Sequence, residues 1–208
     1  MRGRFLSLEG GEGAGKSTQV RALAAALQAR GLATRITREP GGSEGAEAIR
    51  ALLMHGDAGR WSARAEALLF AAARADHVEK VIRPAVEAGE WVICDRYLDS
   101  SRAYQGAAGG VADADVLALH AFGSTGLLPD RTFVLTLPVA QGTERAATRD
   151  GAAADRFAAR DGAFHEAVAA AFLRIAEQEP ERVRRIDASR DQEAVTAAIL
   201  DDLAAWLP

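Results

Sequence analysis

The stretch Phe5-Leu6-Ser7-Leu8-Glu9-Gly10-Gly11-Glu12-Gly13-Ala14-Gly15-Lys16-Ser17-Thr18 reads as a short buried strand, a glycine-rich turn and the start of a helix. Within it, Gly10 to Ser17 fits G-x-x-x-x-G-K-[ST], the spacing of a phosphate-binding loop. Glycines let successive backbone N–H groups turn inward around a phosphate without Cβ clashes. The helix that follows aims its N-terminal partial positive charge at the same anion. Lys16 adds a point charge for the outer phosphates, and the Ser17 hydroxyl can complete a Mg²⁺ shell.

Outward from this loop, strands and helices alternate. Gln19 to Arg30 carries Val20, Leu23, Ala24 and Leu27 on one helical face, and Gly31 ends it. Ala33 to Thr37 reads as a second strand, and Arg38-Glu39-Pro40-Gly41-Gly42 breaks regular structure. Glu44 to Leu53 is a helix with Ser43 as N-cap. From an N-cap at Ser62, a long helix is expected to about Ala88, with Leu69, Ala72, Val78, Val81, Ile82 and Val86 facing inward; Pro84 kinks it or ends its regular part. Trp91 to Asp95 is a third strand, Leu98 to Gln105 a helix, Gly106 to Gly110 a loop, and Asp113 to Phe122 another helix. Thr132 to Leu137, then Val183 to Ile186, are the last strands. Helices are expected at Val139 to Thr148, Ala158 to Gln178 and Asp191 to Trp206.

This alternation predicts an α/β fold: a five-stranded parallel sheet covered by helices on both faces. Ligands of such sheets bind at the carboxyl ends of the strands, where Gly10, Arg38, Asp95 and Asp187 all fall.

The chain has 208 residues, 49% of them hydrophobic, enough for the core of one domain. A formal net charge of −4 argues against a nucleic-acid-binding surface, so charge for binding anions has to be local. Cys94 is the lone cysteine, which excludes an intrachain disulfide and suits a reducing cytoplasm. Met1 leads straight into the first strand with no signal peptide expected, and no apolar run approaches a membrane span. Lys16 and Lys80 are the only lysines, so an [NT]-K-x-D guanine-reading motif cannot exist, and a guanine switch is disfavoured. His55, His77, His120 and His165 lack metal-ligand spacing, and His77 is expected to be a surface or core residue.

The linked segments Glu9-Gly-x-Glu-Gly-Ala-Gly-Lys-Ser17, Thr37-Arg38-Glu39-Pro40-Gly41-Gly42, Leu69-Phe70-Ala71-Ala72-Ala73-Arg74 and Asp95-Arg96-Tyr97-Leu98-Asp99-Ser100-Ser101-Arg102-Ala103-Tyr104-Gln105 resemble the signatures of thymidylate kinases. The resemblance runs from the first strand to the last helix. It implies a single P-loop NTPase-fold kinase domain over 1–208 and a homodimer with ATP and dTMP as substrates and Mg²⁺ as cofactor; charge and hydropathy lead to no expected nucleic-acid or membrane partner.

Such a reaction needs little covalent help. A nucleoside monophosphate already carries the nucleophilic oxygen, largely deprotonated at pH 7. The protein must hold two anions in line and neutralise the growing charge. Lys16, the loop amides and Mg²⁺ would hold ATP. The resemblance assigns Arg38 and Arg96 to the acceptor phosphate, although from residue type alone Arg96 could equally be a structural ion-pair partner. Asp95 reads as a Mg²⁺ or water ligand, or as the group that holds Arg96 in place. Phe70 and Arg74, spaced i, i+4, reach one helix face, where the resemblance puts them on the thymine ring. A donor-only Arg74 suits thymine O4 rather than the amino group of cytosine. By the same comparison Ser101 lies near the base, Gln105 near the nucleoside, Tyr104 against the ribose 2′ position, and Glu12 near the 3′-hydroxyl or the phosphates.

The loop's variable positions carry no arginine, whereas 149–157 holds Arg149 and Arg156. This resembles the bacterial type, in which a small mobile lid supplies the catalytic arginine; Arg149 is the first candidate and Arg156 the second, a solvated charge run being the alternative. One departure stands out. The family commonly has Asp at the end of the fourth strand, and Thr136 occupies that region here.

Overall fold

The computed structural model describes residues 2–57, 59–150 and 156–208, with the side chains of 149 and 150 outside that description. Five strands form one parallel sheet: β1 (Phe5–Glu9), β2 (Thr34–Arg38), β3 (Trp91–Asp95), β4 (Arg131–Thr136) and β5 (Val183–Asp187), in the order β2-β3-β1-β4-β5. The order reverses at β1, and its carboxyl end therefore opens into the crevice where such sheets bind ligands. Register sets the floor of that crevice. Leu8 pairs with Asp95 and with Phe133, and Arg38 with Asp95, which lines up the strand ends.

Alternation along β1 sorts its side chains. Leu6 and Leu8 face α1 (Lys16–Gln28) and α9 (Gln192–Asp202), joining Val20, Leu23, Leu27, Val195 and Ile199 in one core. Phe5 faces the other side, with Val92, Cys94, Tyr97, Leu98 and Val116. A third cluster joins Val134 and Val183 to α8 (Gly162–Gln178) through Val168, Phe172 and Ile175. The remaining β1 residues of the Phe5 face are polar and buried, and both are satisfied: Ser7 Oγ lies 2.8 Å from Thr132 Oγ1, and Glu9 holds the turn after β3.

Ser43 caps α2 (Glu44–Met54) and Ser62 caps α3 (Ala63–His77), each accepting a backbone N–H three residues on. The long helix expected to about Ala88 divides into α3, a π-helical turn over Val78–Ile82, and α4 (Arg83–Glu87). The wider turn absorbs Pro84, which sits in the first turn of α4 where its missing N–H is harmless. Along α3, Ala73 rather than Ala72 is buried. The helix expected at Leu98 to Gln105 is a single α turn, α5 (Leu98–Ser101), followed by π-helical Arg102–Ala108, which takes in part of the expected Gly106–Gly110 loop. After α6 (Asp113–Gly123) and β4, α7 runs Val139–Asp150. Asp161 caps α8, so that helix starts four residues later than expected from its periodicity.

Candidate active site

Gly10, Gly13 and Gly15 all have positive φ, as a loop curling round an anion requires. At Gly13 the constraint is also one of contact: a Cβ there would lie 2.0 Å from the carbonyl oxygen of Gly142 on α7, and one on Gly142 would lie 2.5 Å from that of Glu12. Backbone meets backbone, so the loop rests directly on the helix that leads into the 149–157 segment. Lys16 is buried and folds back, its Nζ donating to Gly10 O (3.1 Å) and Gly11 O (2.7 Å). Burial, with help from Arg96, lowers its pKa to about 8. Ser17 Oγ donates to Asp95 Oδ2 at 2.6 Å, so a hydroxyl and a carboxylate from separate elements converge beside the loop.

Arg96 follows β3 in a left-handed conformation, φ 69°. Hydrogen bonds hold this strained turn. Arg96 N donates to Leu8 O (3.0 Å), Tyr97 N to Glu9 Oε1 (2.7 Å) and Ser100 Oγ to Glu9 Oε2 (2.6 Å). Burial, then the charge on Asp99, lifts the Glu9 carboxyl to about 7. The Arg96 guanidinium donates to Gly10 O (3.0 Å), Ser100 Oγ (3.2 Å) and Glu12 Oε1 (2.7 Å), and stacks 4.9 Å from the centre of the Tyr104 ring. Burial works against its charge, but Tyr104, Glu12 and Asp95 more than offset that and keep its pKa above the ordinary guanidinium range. Tyr104 OH donates to the same Glu12 oxygen at 3.1 Å.

On the far side, Arg74 is buried on α3. Its Nε donates to Glu39 Oε2 (2.7 Å) and Nη2 to Ser101 Oγ (2.9 Å) and Tyr97 O (3.2 Å). Desolvation opposes the charge and Glu39 outweighs it, raising the Arg74 pKa. Among the described residues nothing accepts from Nη1, and Arg74 lines the cleft. Phe70 lies one turn before it, partly buried, with its ring 5.8 Å from that of Phe157. Gln105 donates to Glu66 Oε1 at 3.0 Å. Arg38 is exposed at the cleft edge, 3.3 Å from Glu47.

These residues surround one cleft of about 420 Å³. Glu12, Lys16, Ser17, Thr18, Arg38, Phe70, Arg74, Asp95, Arg96, Ser101, Tyr104 and Gln105 all line it, as do Gly13 and Gly15. Gly10, Gly11 and Ala14 lie behind, against a small hollow near α7 and α8. Arg156 is outside the lining: its guanidinium is buried against Glu66 and Leu53 O, over the Phe157 ring. The Arg149 side chain and residues 151–155 fall outside the described residues. Thr136 donates to Ile186 O at 3.1 Å, a strand-to-strand bond that an acceptor-only Asp carboxylate could not make.

Glu39, Ser100 and Phe157 also line the cleft, though the sequence reading gave them no role. His77 proved fully buried, bonded to Thr37 and Glu39. Glu39 and Ser100 fall inside the quoted segments and His77 and Phe157 outside them, and which partner each meets depends on the topology.

The arrangement suits two anions held end to end: one in the loop, one between Arg38 and Arg96, with a flat apolar and donor-lined slot beyond. Ser17 and Asp95 offer hard oxygen donors of the kind Mg²⁺ takes alongside phosphates and water, so the residues fit that ion. The chain matches the family model for thymidylate kinase over residues 8–199. It is 62% identical over its full length, and the relative's, to the thymidylate kinase of Rhizorhabdus wittichii. It is 52% identical to that of Caulobacter vibrioides, over 96% of this chain and 95% of the other. The crystal structure of thymidylate kinase from Ehrlichia chaffeensis superposes with a TM-score of 0.78 at 28% identity, covering 98% of this chain and 99% of that one.

Proposed function

The chain belongs to the thymidylate kinase family, and from that premise we propose which of its residues perform the family's reaction. The enzyme phosphorylates dTMP to dTDP with ATP and Mg²⁺. Ser17 and Asp95 would hold the Mg²⁺, whose charge would offset that of the phosphates.

Gly10 through Thr18 bind the ATP phosphates, and Lys16 leaves its loop carbonyls for the outer phosphates. Arg96 exchanges Glu12 for the acceptor phosphate, aided by Arg38 from the cleft edge. With both anions fixed in line, the acceptor oxygen attacks the γ-phosphorus as its bond to the β–γ bridging oxygen breaks and ADP leaves, and no general base is needed. Phe70 stacks on thymine, Arg74 Nη1 donates to O4, Ser101 and Gln105 flank the nucleoside, and Tyr104 crowds the 2′ position. The observation that carries this reading is the uncommitted Nη1 of a buried, otherwise saturated guanidinium in the cleft wall.

Residues 149–157 form the lid of one kinase domain spanning 1–208, and Arg149 is the first assignment for the transition-state arginine. For Arg156 to serve, it must release Glu66 and Leu53 as the lid closes. The enzyme acts as a homodimer. Exposed Leu68 on α3, and Leu117 and Phe122 on α6, support a helical dimer face; Phe122 is 89% exposed. A cytoplasmic setting is in keeping with the single buried cysteine; no helix among the described residues is long and apolar enough to cross a membrane.

Steady-state transfer from Mg-ATP to dTMP, dUMP, ribo-TMP, dCMP, dGMP and AMP tests the assignment, with Arg74→Ala and Arg149→Ala alongside. Preference for dTMP that disappears in Arg74→Ala, and a loss of turnover in Arg149→Ala with little change in dTMP binding, are expected. An Arg74→Ala enzyme with unchanged base preference overturns the base-reading role.

A further inference from the structure

Behind the base-reading wall lies a chain of buried hydrogen bonds that the transfer chemistry does not use. Glu39 directly follows β2, fixed by its N–H to Asp95 O (3.0 Å). One carboxylate oxygen, Oε2, accepts from Arg74 Nε at 2.7 Å, and the other, Oε1, lies 3.0 Å from His77 Nδ1. His77 Nε2 is 2.6 Å from Thr37 Oγ1. A carboxylate oxygen can only accept, so Nδ1 carries a proton; in the neutral ring Nε2 is then an acceptor for the Thr37 hydroxyl. Side-chain exposure is 0% for His77, 4% for Glu39 and 3% for Arg74. Gly42 makes room for the ring: a Cβ there would come within 2.4 Å of His77 Nε2.

We propose that Glu39 and His77 are positioning residues that set base specificity: Glu39 fixes Arg74 with Nη1 toward the cleft, and His77 occupies the carboxylate oxygen that would otherwise accept from a cytosine amino group. The inference rests on Arg74 reading the base. Thymine offers an acceptor at C4 and cytosine a donor, so discrimination depends on the wall showing only donors there. Glu39 itself lines the cleft. Its charge must therefore be turned away, and His77 does this while Arg74 takes the other oxygen. The paired charges also leave the slot without the net positive charge that would draw a phosphate into the base position.

The test compares kcat/KM for dTMP and dCMP, KM for ATP, and thermal stability in the full-length wild type, His77→Leu, His77→Asn, Thr37→Val and Arg74→Ala. His77→Leu is expected to lower the dTMP-over-dCMP ratio about tenfold through KM for the acceptor, with KM for ATP unchanged. His77→Asn, whose amide can still donate to Glu39, should restore most of the ratio. Thr37→Val, which loses the outermost bond only, should lower the ratio about threefold; it decides the matter if His77→Leu does not fold. An unchanged ratio in the His77 and Thr37 variants, with the preference lost in Arg74→Ala, overturns this inference alone. An unchanged ratio in Arg74→Ala overturns the base-reading role on which it stands.

Discussion

Ser17 Oγ and Asp95 Oδ2 are 2.6 Å apart, which ties the first turn of α1 to the last residue of β3 beside the phosphate loop. The two come from positions 78 residues apart and meet because β1 and β3 are parallel neighbours in register. Asp95→Asn keeps the shape and the hydrogen bond but removes the charge. It should lower kcat/KM for Mg-ATP about a hundredfold and raise the Mg²⁺ concentration needed for half-maximal rate. EDTA should abolish transfer while leaving the circular-dichroism melting curve unchanged, because the ion would arrive with the nucleotide.

Lys16 is a pH reporter. Its folded pKa of about 8 lies below the ordinary value of 10.5, so in free enzyme the loop loses its cation as pH rises through about 8. kcat/KM for ATP should fall above that pH, while kcat, measured with phosphates bound around the ammonium, should hold to higher pH. Stability moves the other way. Between pH 8 and 10.5 the unfolded chain binds the extra proton, so folding gains stability from this group as pH rises.

Glu9 has the opposite linkage. Its carboxyl, lifted from 4.5 to about 7, binds a proton in the folded state that the unfolded chain has released. This contribution is full below pH 4.5 and is lost as pH rises through 7. Over that window wild type should lose on the order of 3 kcal/mol relative to Glu9→Gln. Urea unfolding of both proteins across the range measures it, and parallel curves would refute it.

The contact of Gly142 with the loop predicts a remote kinetic defect. In Gly142→Val the added side chain meets the Glu12 carbonyl, and the loop or α7 must shift. KM for Mg-ATP is expected to rise about tenfold, with dTMP binding, measured by calorimetry, changed far less.

Asp99 tests the polar underside of the sheet. It is fully buried and accepts from Arg182 at 2.7 and 2.9 Å. Arg102 and Thr132 lie 3.4 Å away. Asp99→Ala removes the buried carboxylate, leaving Arg182 with Glu179 and Arg102 with Glu179 and Asp113, and should cost about 3 kcal/mol in urea unfolding. Replacing the more exposed partner of Arg102, Asp113→Ala, should cost well under half of that.

Much of this protein is written locally. The five strands, the phosphate loop and the caps at Ser43 and Ser62 follow from spacing, β-branching and glycine placement, because these act over a few residues, whereas the base-site residues were named by the family resemblance. Periodicity also shows which face of a helix turns inward, though Pro84 shows its limit: whether it breaks the helix or is absorbed by a π turn depends on what packs there.

What a buried polar group touches is a different matter. His77 looked like a surface or core residue because nothing near it in sequence reveals Thr37 or Glu39, 40 and 38 residues away. The sequence offers Arg38 for the acceptor phosphate and Arg156 as a second candidate for the catalytic arginine, yet Arg156 is buried against Glu66 while Arg38 is exposed at the cleft edge. Local patterning is enough for the sheet and the phosphate loop, and it supplies the residue types of the site. Only the tertiary structure decided their partners and pKa values, since both depend on desolvation and on neighbours that parallel strand pairing brings together from distant parts of the chain.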